Sequence, residues 1–170
     1  MRREFKLDLR WSVFPLHPET PEEGRELREL FPRADVHAML ARLQAVAEEV
    51  GLPLGERTRT FNSRRAQELG KWAEELGHGD AFRAAVYRAY FVEGRNIARV
   101  DELAAIAGAV GLPGNEARQV LTDCRFAAVV DADWRRALEL GLTGVPTHLY
   151  QGRALVGFQP YESFRRLVGG

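Results

Sequence analysis

The chain has 170 residues, 45% of them hydrophobic, and its 24 basic and 24 acidic side chains give a formal net charge of zero. That length and apolar content suit one globular domain with a real core, and neutrality excludes the long-range field that draws a protein to nucleic acid or an anionic membrane. One cysteine, Cys124, excludes an intramolecular disulfide framework and a cysteine-rich zinc site; no apolar run nears the roughly 20 residues of a membrane helix, and with no signal-peptide stretch after Met1-Arg2-Arg3-Glu4 the sequence reads as cytoplasmic.

From the N-terminus, Phe5, Leu7, Leu9, Trp11 and Val13 alternate with Lys6, Asp8, Arg10 and Ser12, a period of two that predicts a strand over Phe5–Phe14 with one buried face. Residues 15–32 are rich in proline and glutamate and read as a surface loop with one short helical turn near Glu26–Leu30. Val36, Met39, Leu40, Leu43, Val46 and Val50 have helical spacing, and Gly51 supplies a stop for a helix from Ala34 to Val50. Asn62 caps a second helix running to Leu76, and Asp80 caps a third that ends at Glu93-Gly94. Further helices run from Asp101 to Val110, from Pro113 or Asn115 to about Cys124, and from Ala127 to Leu140. The aromatics Trp72, Tyr87, Tyr90 and Phe91 fall at helical spacing and are assigned to the core. There is no internal repeat.

The C-terminal stretch organises the rest. Thr143–Tyr150 and Arg153–Phe158 flank Gln151-Gly152 as a β-hairpin, and Pro160 opens a final helix. Pro146 stands at the entrance to the first strand, where its missing N–H is tolerated. These signals amount to an α/β domain: a small sheet built from the N-terminal strand and the hairpin, covered by helices.

Gly144-Val145-Pro146-Thr147, the short hairpin and Gly157-Phe158-Gln159-Pro160-Tyr161-Glu162 resemble the end of the thioredoxin-fold proteins of the DsbA family, most closely the FrnE-like branch. Trp11–Gly24, Phe61–Ala66 and Tyr90–Ile97 are similar to that branch's second strand and inserted helical region. The resemblance implies a thioredoxin-like sheet formed by residues 1–33 and 125–170 around a helical insertion at 34–124. The strand at Phe5–Phe14 would lie parallel to the family's first strand and to the strand after Pro146. It also implies a cis Val145–Pro146 peptide. The family opens with a strand and a helix carrying a Cys-x-x-Cys pair, and the expectation is that this sequence begins after them. Loss of that strand leaves ladder groups to be covered, and a symmetric homodimer is the expected solution; the alternative is a monomer in which Met1–Phe5 or the proline-rich loop folds over the gap.

Dithiol–disulfide exchange needs two thiols, one of them held as thiolate. Cys124 stands alone near a helix C-terminus, where the dipole opposes a thiolate, and reads as a small, partly buried hydrophobe. No catalytic residue is assigned. The resemblance implies that Gly144, Val145, Pro146 and Thr147 present a substrate loop, Val145 offering its peptide groups to an extended ligand, and that Asn96 faces the same groove. The ligand would be a peptide or small thiol. His17, His37, His78 and His148 show no metal-site spacing, His148 reading as a half-buried, hydrogen-bonded strand residue, and no cofactor motif is present. Three functions follow: a disulfide-oxidoreductase family member without turnover in this chain, a binding module built on the Pro146 loop, or a relative of the glutathione-dependent isomerases.

Overall fold

A computed structural model describes residues 4–169. Within them the order is β1 (Arg25–Glu26), α1 (Leu27–Leu30), α2 (Val36–Glu49), β2 (Arg59–Thr60), α3 (Arg64–Glu75), α4 (Gly79–Phe91), α5 (Val100–Ala109), α6 (Gly114–Thr122), α7 (Ala127–Glu139), β3 (Thr147–Tyr150), β4 (Arg153–Val156) and α8 (Tyr161–Gly169). Two compact units result, Met1–Leu16 with Asp131–Gly170 and His17–Val130.

The His17–Val130 unit owes its core to the apolar faces of α3 to α6. Leu69, Trp72 and Ala73 of α3, Phe82 of α4, Leu103, Ile106 and Ala107 of α5, and Ala117 and Val120 of α6 are all buried in one cluster. Each large side chain so buried stabilises the fold by about 1.5–3 kcal/mol. Gly51, Gly77 and Gly111 follow α2, α3 and α5 with positive φ, the left-handed step that ends a helix. Trp72 meets its core assignment, but Tyr87 is exposed, and it leans edge-on against Phe91 at 5.9 Å.

Several local expectations need correction. α4 starts at Gly79 with His78 in the N-cap position; Asp80 lies in the first turn, its carboxylate taken by Arg83 at 2.7 Å, so it is not the cap. Residues 15–32 do contain the helical turn, α1, but they are not a free surface loop. Thr20, Gly24 and Leu27 are buried, and Arg25–Glu26 pairs antiparallel with Arg59–Thr60. Asn62 explains part of that anchoring: its oxygen accepts from the Arg64 N–H at 2.9 Å, while its amide donates to Thr20 O at 2.8 Å and Pro18 O at 3.0 Å. It therefore serves the start of α3 and pins the proline-rich loop at once, although the formal N-cap residue is Ser63.

In the other unit β3 and β4 form a two-stranded antiparallel ladder, pairing Thr147 with Val156 and Tyr150 with Arg153. Gln151 and Gly152, with φ of 48° and 79°, make the turn, the geometry that matches strand twist in a two-residue hairpin. α8 packs on β4. The expected strand at Phe5–Phe14 is not formed: Lys6 has φ 28°, outside extended backbone, and no strand among the described residues pairs with the segment. Its alternation survives in part: Phe5, Leu7 and Val13 are half-buried, whereas Leu9 and Trp11 are exposed. An alternating pattern gives a strand one apolar face; the ladder has to come from a neighbour. Of Met1–Phe5, one of the two segments expected to fold over the gap in a monomer, Met1, Arg2 and Arg3 lie outside the described residues.

Candidate functional site

The Pro146 loop joins α7 to β3. Gly141, with φ 65°, follows α7 and turns the chain, and Val145–Pro146 is a cis peptide. The Thr147 hydroxyl donates to Gly144 O at 2.7 Å, which closes the loop on itself, and the Gly157 N–H donates to Pro146 O at 2.8 Å, which extends the β3–β4 ladder by one bond. Pro146 has no N–H to return. Between these two ties stands Val145, 50% exposed. Among the described residues no hydrogen bond is made by its peptide N–H or C=O. The loop thus holds Gly144, Pro146 and Thr147 in place and leaves one free donor and one free acceptor on Val145, the requirement for pairing an extended chain.

Asn96 belongs to the His17–Val130 unit, where its amide donates to Glu22 O at 2.9 Å and its oxygen accepts from the Ala98 N–H at 2.9 Å. Those bonds brace the same loop that Asn62 holds. Sequence spacing alone does not distinguish an asparagine that braces a loop from one that awaits a ligand.

Cys124 is exposed, a correction to its assignment as a partly buried hydrophobe. It sits one residue beyond the Asp123 C-cap of α6, in left-handed backbone at φ 50°, and its Sγ lies 3.7 Å from Leu121 O. The following Arg125 N–H donates back to Val120 O at 3.1 Å, so the helix end needs the turn that exposes the thiol. His148 is also exposed; its ring meets Phe164 of α8 edge-on at 4.8 Å and makes no hydrogen bond among the described residues, contrary to its reading as a half-buried residue with a bonded side chain. His78 is the structural histidine, its Nδ1 3.1 Å from Val110 O.

A hairpin entered through a cis-proline loop, backed by a terminal helix and accompanied by a helical unit, defines a protein of the thioredoxin class. The DSBA-like thioredoxin domain matches residues 1–169, and the chain belongs to that family. Among solved structures it is similar to a protein described as a probable DsbA oxidoreductase from Streptomyces coelicolor, at 28% identity and TM-score 0.79, over 89% of this chain and 69% of that one. It is also similar to the cytosolic disulfide reductase DsbM from Pseudomonas aeruginosa, at 26% identity and TM-score 0.55, over 77% of this chain and 69% of that one. The same reductase solved with GSH matches at 27% identity and TM-score 0.56, over 79% and 70% of the two chains. No curated protein matches the chain. Its 170 residues contain a single cysteine, so they hold no Cys-x-x-Cys pair. No helix among the described residues is long and apolar enough to cross a membrane.

Proposed function

We infer that this chain uses the Pro146 loop to hold an extended peptide thiol, of which glutathione is the smallest probe, without dithiol–disulfide turnover. The observation that carries the reading is Val145: half-exposed, on a loop fixed at Gly144–Thr147 and at Pro146–Gly157, with both peptide groups unpaired among the described residues. Such a residue offers a ligand backbone the two hydrogen bonds of an added strand. The DsbM structure with GSH supports a ligand of this class. Turnover would need a second thiol to resolve the mixed disulfide, and Cys124 is the chain's one cysteine. The FrnE-like branch fits best, on the Gly144–Thr147 and Tyr90–Ile97 resemblances, and a cytosolic relative supports a cytoplasmic location.

Calorimetric titration of reduced glutathione and S-methylglutathione into the protein tests the reading. Both ligands should bind, since backbone pairing does not need the free thiol, and Val145→Pro, which removes the N–H, should lose at least tenfold in affinity, about 1.4 kcal/mol. Absence of binding, or equal binding by the variant, overturns it.

A further inference from the structure

We draw no further inference here: the strongest candidate, the side-chain cluster at the end of α4 where the Arg57 guanidinium lies against the Tyr90 and Phe91 rings with its Nε and Nη1 enclosed and without acceptors among the described residues, carries nothing, because the two rings already face the cation and nothing in the structure shows an opening to it or what covers it.

Discussion

The Val13 N–H donates to Oδ2 of Asp133 at 3.0 Å, so a side-chain carboxylate on α7 takes the hydrogen bond that a neighbouring strand would supply to an extended segment. Asp133 is only 8% exposed. Asp133→Ala leaves the Val13 donor without this acceptor and should destabilise the protein by about 1–3 kcal/mol. Asp133→Asn keeps an oxygen in place and should lose less than half of that. Urea unfolding of the three proteins checks the order, and equal losses for the two variants would show that the hydrogen bond is not what Asp133 contributes.

Gly24 is held by space as well as by φ. At φ 83° a β-carbon would lie 2.5 Å from Cδ1 of Phe61 and 2.6 Å from Thr60 O. Gly24→Ala should therefore exceed the roughly 1–2 kcal/mol of a left-handed alanine, because the Arg25–Arg59 region must also shift. Gly51→Ala is the control: its φ is 68° and nothing lies within 4 Å, so only the backbone part should be lost. The difference between the two melting-point shifts measures the crowding; if the shifts coincide, β1 and β2 are looser than described.

Glu4 ties the N-terminal segment to α8. The Tyr161 hydroxyl donates to its carboxylate, and Arg165 pairs with it at 3.0 Å. The Tyr161 bond first, and Arg165 after it, hold the Glu4 carboxyl below its ordinary value of 4.5, and the same bond raises the Tyr161 phenol above 10.0. A lowered acid contributes its stability above the unfolded pKa and loses it as pH falls through the folded one; a raised phenol contributes below its unfolded pKa and loses it as pH rises further. The tie should accordingly hold across neutral pH and release in acid below 4.5 and in alkali above 10.0. Both groups are surface groups, so the readout is local: the Glu4 carboxyl carbon shift followed by NMR, with Tyr161→Phe returning its midpoint towards the ordinary value. A midpoint unmoved by that substitution would remove the tie.

The helices were legible because their start and stop chemistry is local. Gly51, Gly77, Gly111 and Gly141 each mark an end, and each takes positive φ. The Pro146 hairpin was legible for the same reason, with its turn carried by Gln151-Gly152. What failed depended on partners far along the chain. Phe5–Phe14 has the pattern of a strand and no ladder. Arg25–Glu26 and Arg59–Thr60 are too short and too polar to announce a pairing. Asp133 reads as one more polar position on a helix until the Val13 N–H is seen to reach it. Cys124 reads as a small, partly buried hydrophobe because its exposure follows from a left-handed turn that no adjacent glycine signals.

Binding without turnover, as proposed above, predicts redox silence, because Cys124 has no second cysteine in this sequence to resolve a mixed disulfide. Insulin reduction by dithiothreitol should proceed at the same rate with and without this protein. An acceleration that persists in Cys124→Ser would reveal other chemistry and remove the premise of binding without turnover.

The claim at the centre of this account is that Val145 offers free peptide groups to an extended ligand. Amide hydrogen exchange at Val145, measured by NMR on the free protein and at saturating glutathione or extended peptide, tests it most directly. The account predicts fast exchange in the free protein, because the donor has no partner among the described residues, and marked slowing when ligand is bound. A Val145 amide already protected in the free protein, or one whose exchange ligand leaves unchanged, would contradict it.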